Sequence, residues 1–188
     1  MLAVTGHRPD KLGGYTADAD ARLREFARQV LPPLLVATSN THVISGMALG
    51  WDQAVAQACV DLKIPFTAAV PFPEQDSRWP EASRLRWAAL CAQAREVVTV
   101  TETYSGANLQ RRNEWMVDHG TAVGALWNGT SGGTANCVRY AQRKAVPVRS
   151  LWAHWNAFLR QQPLPTIDVV TPLPVAAAAR HQAQPSLF

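Results

Sequence analysis

The sequence predicts an open, doubly wound α/β fold with a mostly parallel sheet and helices on both faces. Apolar runs of strand length alternate with helical segments from the first residue to about residue 151. These runs are almost continuously hydrophobic, as is typical of parallel strands that are covered on both faces. Regular alternation of strands and helices favours a doubly wound sheet. The alternation does not determine the order of the strands.

The apolar runs predict strands at residues 2–5, 42–45, 65–70, 96–101, 121–127 and 147–151. The first helix carries apolar residues at helical spacing around Phe26, and Asp18 or Asp20 is a suitable N-cap for it. Pro32 and Pro33 are expected to end or kink this helix. Further helices are predicted over residues 51–62, 84–93, 109–119 and 135–144.

Composition places the chain among globular proteins. It has 188 residues, of which 47% are apolar and 17% charged, and this length and balance suit one domain and exclude wholesale disorder. No segment approaches the roughly 20 consecutive apolar residues of a membrane span, and the first residues do not resemble a signal peptide. We therefore expect a soluble cytoplasmic protein with no membrane contact.

The cysteines and the charge exclude further classes. Cys59, Cys91 and Cys137 are widely spaced, which fits a reducing compartment and predicts neither a disulfide framework nor a metal site. The net charge is +4, and the basic residues are scattered along the chain. Nucleic-acid proteins usually concentrate positive charge on one face, so direct nucleic-acid binding is not favoured. A phosphate-bearing small ligand suits this charge better.

The composition changes after residue 160. Residues 1–160 are predicted to form the domain, and residues 161–188 form an extension rich in proline and alanine with almost no charge. Residues 166–171 could add an edge strand. From residue 172 onward a flexible tail is expected, because too little apolar surface is present to offset the entropy of ordering it.

Glycine-rich loops follow several of the predicted strands, where an open parallel sheet binds its ligands. Gly46 and Gly50 precede the second helix, and Gly132 and Gly133 precede the last one, beside the hydroxyls of Ser131 and Thr134. A helix start presents unpaired N–H groups, and glycine lets a phosphate approach them. The alternative is that these glycines only form turns and caps. Neither GxGxxG nor GxxxxGK[ST] occurs, so an ordinary dinucleotide site and a Walker-type ATPase are not supported.

Several motifs, in this order, resemble the YpsA-like branch of the SLOG superfamily. They are Thr5-Gly6-His7-Arg8-Pro9, Ile44-Ser45-Gly46-Met47-Ala48-Leu49-Gly50-Trp51-Asp52, Arg112-Asn113-Glu114-Trp115-Met116-Val117-Asp118, Trp127-Asn128-Gly129 and Gly132-Gly133-Thr134-Ala135-Asn136-Cys137. The resemblance covers roughly residues 1–151. It implies a Rossmann-like fold that binds nucleotides or their derivatives, often as a homo-oligomer, in bacteria or phages. The superfamily includes cytokinin-activating phosphoribohydrolases and the DNA-processing protein DprA.

The resemblance also shows one departure. The phosphoribohydrolase branch places a glutamate shortly after its Gly-Gly-Thr turn, whereas Ala135, Asn136, Cys137 and Val138 follow Thr134 here. The expected catalytic carboxylate is therefore missing. Glu114 or Asp52 could replace it only if the fold brings one of them within reach of the scissile sugar bond.

The leading hypothesis is a nucleotide-binding sensor or regulator that requires no cofactor besides its nucleotide-type ligand. Phosphate would lie against Gly46, Gly50, Gly132, Gly133 and Thr134. The other candidate ligand-binding residues are Thr5, Gly6, His7, Arg8, Met47, Asp52, Gln53, Arg112, Asn113 and Glu114. Thr5, His7 and Arg8 would close over the phosphate. Asp52, Asn113 and Glu114 would contact the ribose or base. The alternative is an enzyme that hydrolyses the N-glycosidic bond of a nucleoside monophosphate or an ADP-ribose-like ligand through Glu114 or Asp52.

The last five residues suggest a different partner. Gln184-Pro185-Ser186-Leu187-Phe188 resembles the short peptide by which many bacterial proteins bind the replicative sliding clamp. Leu187 and Phe188 would fill an apolar pocket, and Gln184 would form a hydrogen bond at its rim. A chance match of five residues, or a tail that folds back onto the domain, is the alternative.

A peptide of residues 182–188 is expected to bind purified sliding clamp more tightly than the same peptide with Leu187→Ala and Phe188→Ala. The reason is that the two substitutions remove the apolar surface that the pocket would bury. Fluorescence anisotropy titration of both peptides measures the difference. Equally weak binding by both peptides would rule the clamp hypothesis out.

Overall fold

The strands of the predicted sheet are all present. The computed structural model describes residues 1–168, within which the chain forms one six-stranded sheet. The strands are β1 (Leu2–Gly6), β2 (Val43–Ser45), β3 (Phe66–Val70), β4 (Glu96–Thr99), β5 (Ala122–Leu126) and β6 (Val148–Ser150). Each lies within two residues of its predicted bounds. Five residues of β5 are fully covered, as their continuous apolar character predicts.

The strand order is β4-β3-β2-β1-β5-β6, and every neighbouring pair is parallel. The chain winds outward from β1 to β4 on one side and then returns to add β5 and β6 on the other. The prediction of a doubly wound α/β fold is therefore confirmed. The order reverses between β1 and β5, so the loops that follow these two strands flank the switch point where such sheets bind ligands.

Helices cover both faces of the sheet. They are α1 (Ala17–Ala37), α2 (Trp51–Asp61), α3 (Glu81–Gln93), α4 (Gly106–Asp118), α5 (Gly133–Arg143) and α6 (Trp152–Leu159). The helices α1, α2 and α6 pack on one face, with α3 beside α2, and α4 and α5 pack on the other. A short 3-10 turn, Pro9–Lys11, follows β1. α6 is not predicted from the sequence, because its eight residues are apolar on nearly every side and show no amphipathic period.

The larger core lies under α1, α2 and α6. Phe26 of α1 is its centre, with ring centroids 5.6 Å from Trp51 and 5.1 Å from Trp155. Trp51 is one of the largest fully buried side chains of the described residues. Its position beside the end of β1 leaves room for nothing larger than glycine at Gly6, where a Cβ would lie 2.5 Å from the Trp51 ring.

The N-terminus of α1 differs from the prediction. Thr16 is the N-cap, and its Oγ1 accepts a hydrogen bond from the Ala19 N–H at 3.2 Å. The expectation that Asp18 or Asp20 caps the helix is wrong, because both lie within its first turn. There the two carboxylates still face the positive end of the helix dipole.

The prolines of α1 do not end it. Pro32 and Pro33 lie inside the helix, which continues for four more residues. Of the two predicted effects, an end or a kink, the end is therefore wrong. Both prolines are exposed, whereas Leu31, Leu34 and Leu35 are buried. Tertiary packing of this apolar stripe on α2 compensates for the backbone hydrogen bonds that proline removes.

The C-terminal predictions are only partly within the structure. Residues 166–168 form no strand, and the rest of the predicted edge strand lies outside the described residues. The clamp-binding candidates Gln184, Leu187 and Phe188 also lie outside them. None of the helices within residues 1–168 has the length and apolar character needed to cross a membrane.

Replacing Gly6 by alanine is expected to lower the free energy of unfolding by about 1–3 kcal/mol, because the new methyl group overlaps the buried Trp51 ring. Gly106 is the matched control. It begins α4, and a Cβ there would meet no atom within 4 Å, so Gly106→Ala should be neutral or slightly stabilising. Urea unfolding followed by circular dichroism measures both. Equal stability of the two variants would contradict this packing.

Candidate functional site

A cavity of about 220 Å³ opens at the switch point of the sheet. It lies between the loop after β1, the start of α5 and the inner side of α4. We call it the α5 cavity; its lining consists of Thr5, Gly6, His7, Arg8, Asp10, Lys11, Ala48, Asp52, Leu109, Arg112, Asn113, Thr130, Ser131, Gly132, Gly133, Thr134 and Ala135.

The N-terminus of α5 faces this cavity without a cap. Gly132 precedes the helix with φ +140°, and no side chain of the described residues caps it. The first helical hydrogen bond runs from Asn136 N–H to Gly132 O at 3.0 Å. The N–H groups of Gly133, Thr134 and Ala135 therefore have no intrahelical acceptor. A Cβ at Gly133 would meet no atom within 4 Å, so the approach to these donors is open.

The cavity has more positive than negative charge. Arg8, Lys11 and Arg112 line it, together with the carboxylates of Asp10 and Asp52. Arg8 is exposed, whereas Arg112 is only 6% exposed. The first guanidinium is thus free to reach toward a ligand, and the second is part of the cavity wall.

A buried ion pair forms that wall. Arg112 Nη1 lies 4.0 Å from Asp52 Oδ2 and donates a hydrogen bond to the Gly46 carbonyl oxygen. Burial raises the pKa of Asp52 above its ordinary value, and the Arg112 guanidinium opposes that rise. The Ala48 N–H also points at Asp52 Oδ2, at 3.4 Å.

The same contacts explain two glycines of the loop after β2. A Cβ at Gly46 would overlap the Arg112 guanidinium and lie 2.9 Å from Asp52 Oδ2. Gly50 has φ +96°, and a Cβ there would lie 2.6 Å from the His7 carbonyl oxygen. Both glycines are therefore needed for close packing inside the protein.

Hydrogen bonds join α4 and β1 to the start of α5. Asn113 Nδ2 donates to the Gly133 carbonyl oxygen at 3.3 Å, and Asn113 Oδ1 accepts from Arg112 Nε at 3.1 Å. Thr134 Oγ1 donates to the Gly6 carbonyl oxygen at 2.9 Å. The hydroxyl proton of Thr134 is consequently used within the protein. Ser131 also lines the cavity.

His7 positions the loop after β5. Its Nε2 lies 2.7 Å from Asn128 Oδ1 and 3.1 Å from the Asn128 backbone nitrogen. One tautomer donates to the amide oxygen, and the other accepts from the backbone N–H. Burial lowers the pKa of His7, which favours the neutral form of the ring. On the same loop, Thr130 Oγ1 accepts a hydrogen bond from Lys11 Nζ at 2.8 Å.

The structure brings most of the candidate ligand-binding residues to this cavity. Those that line it are Thr5, Gly6, His7, Arg8, Asp52, Arg112, Asn113, Gly132, Gly133 and Thr134. Those that do not are Gly46, Met47, Gly50, Gln53 and Glu114. Asp10, Lys11 and Leu109 also line it, although no sequence motif contains them, and so does Ala48, which lies in the motif of residues 44–52 but is not among the candidate ligand-binding residues. The position of Lys11 in the loop after β1 is the one signal that could have identified it.

Most of the loop after β2 lies behind the cavity, and Ala48 is its one residue in the lining. Gln53 Nε2 donates to the Met47 carbonyl oxygen at 3.3 Å, so both residues stabilise the loop. Gly50 and Gln53 instead line a second cavity of about 370 Å³ between the 3-10 turn and α1. Gly46 and Gly50 are expected from the sequence to lie against the phosphate together with Gly132, Gly133 and Thr134, but these two glycines do not line the α5 cavity.

Glu114 lies away from the α5 cavity. It is half-buried on α4 and accepts a hydrogen bond from Gln110 Nε2 at 3.0 Å. Of the two candidate catalytic carboxylates, only Asp52 reaches the cavity. Among residues 1–168, no three His, Cys, Asp or Glu side chains are grouped so as to hold a metal ion.

Comparison with known proteins gives one family. The YpsA model, described as the YspA SLOG family, matches residues 2–149. The chain is 31% identical over 148 residues to the SPbeta prophage-derived protein YoqJ of Bacillus subtilis (strain 168), covering 70% of this chain and 86% of YoqJ.

Two solved structures have a similar fold. DNA processing protein A (DprA) of Streptococcus pneumoniae aligns with a TM-score of 0.55 and 15% identity over 88% of this chain. The alignment spans 58% of that protein, less than two thirds of its length. DprA of Helicobacter pylori, which has a described single-stranded DNA binding mode, aligns with a TM-score of 0.54 and 14% identity, covering 86% of this chain and 81% of that one. At these identities the likeness shows the fold alone.

Replacing Arg112 by methionine is expected to lower the free energy of unfolding by about 3–5 kcal/mol, because Asp52 then remains buried without its cation. Arg111→Met is the matched control: Arg111 is the neighbouring residue on α4 but is exposed, so the change should be within about 0.5 kcal/mol. Urea unfolding at neutral pH measures both.

The double variant Arg112→Met, Asp52→Asn separates loss of the ion pair from loss of packing. Removing the uncompensated carboxylate should restore part of the stability lost in Arg112→Met. A double variant less stable than Arg112→Met would show that the carboxylate is not the source of the destabilisation.

Proposed function

The chain belongs to the YpsA family of SLOG proteins, and we propose that it binds a nucleotide or nucleotide derivative as a ligand sensor or regulator. One observation carries the proposal: the uncapped N-terminus of α5 opens into a cavity lined by Arg8, Lys11 and Arg112. Free backbone N–H groups, the helix dipole and arginine side chains together favour a phosphate group.

The bound phosphate would lie against the N–H groups of Gly133 and Thr134. Arg8 is exposed at the cavity mouth and would close over it. Arg112 uses Nε and Nη1 in the contacts described above, so Nη2 is the part of its guanidinium left for the ligand. Asp10, also on the cavity, provides carboxylate oxygens for ribose hydroxyl groups.

Binding without turnover is favoured over hydrolysis of an N-glycosidic bond. Glu114 does not line the cavity, and Asp52 faces Arg112 and the Ala48 N–H. A general base must reach the attacking water, directly or through one other water, and Asp52 is only 6% exposed. The hydrolase alternative therefore depends on Asp52 alone among the two carboxylates considered.

Single-stranded DNA is a second candidate ligand. The described binding mode of H. pylori DprA, whose fold this chain shares, stands against the expectation that direct nucleic-acid binding is unfavoured. The scattered charge of the chain still favours a small ligand. A homo-oligomeric state, a cytoplasmic location and clamp binding stay predictions.

AMP is expected to bind the wild-type protein, and Arg8→Gln should weaken that binding about 10-fold or more. The reason is that a charge-assisted hydrogen bond to phosphate contributes about 1.5–3 kcal/mol. Isothermal titration calorimetry measures the affinities, with Arg22→Gln as the control, since Arg22 is an exposed arginine of α1 outside the cavity.

Three outcomes decide between the candidates. Equal effects of Arg8→Gln and Arg22→Gln, or no binding of AMP, ADP-ribose or NAD by folded protein, would overturn the proposal. Release of free base or ribose phosphate on incubation, abolished by Asp52→Asn, would favour the hydrolase. Competition between AMP and a short oligodeoxynucleotide would favour single-stranded DNA.

A further inference from the structure

A third cavity, distinct from the one lined by Gly50 and Gln53, adjoins the α5 cavity. It has a volume of about 520 Å³ and lies between the segment after β3 and the loop that leads into α4. Arg8 and Leu109 line both spaces, so the two meet at these residues, of which Arg8 is exposed. We call it the aromatic groove, after Phe72, Trp79 and Tyr104 on its walls.

Tyr104 forms an aromatic platform in this groove. Its ring is 5.1 Å from that of the buried Phe72, at an interplanar angle of 90°. This edge contact holds Tyr104 in place although 66% of the residue is exposed. The Arg78 guanidinium lies 5.6 Å from the centroid of the Tyr104 ring. The ring is therefore accessible to a planar group, and a planar base could stack on it as well. An exposed aromatic ring that is held in place by a buried neighbour is suited to stacking with a nucleobase.

The polar groups of the groove suit a sugar. Glu74 and Glu102 line it and can accept hydrogen bonds from the two hydroxyl groups of a ribose. Gln75 is 9% exposed, and its Nε2 donates to the Gly46 carbonyl oxygen at 3.2 Å. Its Oε1 has no hydrogen-bond partner among the described residues, although buried acceptors are normally satisfied. This oxygen is itself covered by protein atoms, so a ligand donor in the groove would reach it only with a movement of the Gln75 side chain.

The volumes indicate that the α5 cavity holds only part of a ligand. Typical small-molecule sites measure about 300–1,000 Å³, and the α5 cavity, at about 220 Å³, is smaller. It can accommodate a phosphorylated sugar. The adjoining groove supplies the space and the aromatic surface that a base would need.

We propose that the ligand spans both spaces and is a diphosphate-linked nucleotide of the ADP-ribose or dinucleotide class. This inference rests on the proposed function and extends it. One sugar and the phosphate attached to it lie at the N-terminus of α5, Arg8 binds the second phosphate of the diphosphate, and the nucleoside attached to that second phosphate enters the aromatic groove. There the base stacks on Tyr104 and the ribose faces Glu74 and Glu102.

The experiment compares ADP-ribose with ribose 5-phosphate, which lacks the nucleoside half. Isothermal titration calorimetry is carried out on the full chain and on two variants, Tyr104→Ala and Tyr15→Ala. Tyr15 is a matched control because it is 71% exposed and lies outside both spaces. Tyr104→Ala is expected to weaken ADP-ribose binding about 10-fold or more and to leave ribose 5-phosphate binding within about 2-fold. Tyr15→Ala should change neither affinity.

Failure of this inference is distinguishable from failure of the proposed function. If ribose 5-phosphate and AMP bind but Tyr104→Ala affects ADP-ribose no more than Tyr15→Ala does, the groove is not a base subsite. If none of the phosphate compounds binds, both proposals are wrong. If a dT oligomer binds more tightly than ADP-ribose and depends on Tyr104, the groove takes a single strand, and the small-ligand inference is overturned.

Discussion

A buried arginine connects the parts of the chain that meet at the switch point of the sheet. Arg112 extends from α4, on one face, to the loop that leads into α2, on the other, where it contacts the Gly46 carbonyl oxygen and faces Asp52. A guanidinium carries five donors in a fixed plane, so it can hold several groups at once. A buried charge without its partner is strongly destabilising. The loop after β2 and α4 must therefore keep the relative position that holds Arg112 beside Asp52.

The position of Arg112 determines which glycine-rich loop is left for a ligand. The lack of a side chain at Gly46 lets the guanidinium approach, and the lack of one at Gly50 lets the loop after β1 pack against the start of α2. The space beside Gly46 and Gly50 in the loop after β2 is consequently filled by other atoms of the protein. At the start of α5, a Cβ at Gly133 would meet no neighbour, and the helix N-terminus remains open. The two loops look alike in sequence but perform different tasks.

Prediction from the sequence fails where tertiary contacts override a local preference. Pro32 and Pro33 disfavour a helix interior, yet packing of the surrounding leucines keeps α1 continuous through them. Glu114 has a residue type suited to catalysis, but its angular position on α4 differs from that of Arg112 and Asn113, which face the cavity. The sequence pattern shows neither how strongly the leucines of α1 pack nor which side of α4 faces the cavity.

The sequence by itself determined the fold class and the six strands, because continuous apolar runs and helical spacing follow directly from burial on a sheet. It also placed Arg8, Gly132 and Gly133 at strand ends, where this topology binds ligands. Only the tertiary structure decided which of these loops face one cavity and which pack behind it. That outcome depends on contacts such as those of Arg112 with Gly46 and Asp52, between residues some 60 positions apart, which no local pattern encodes.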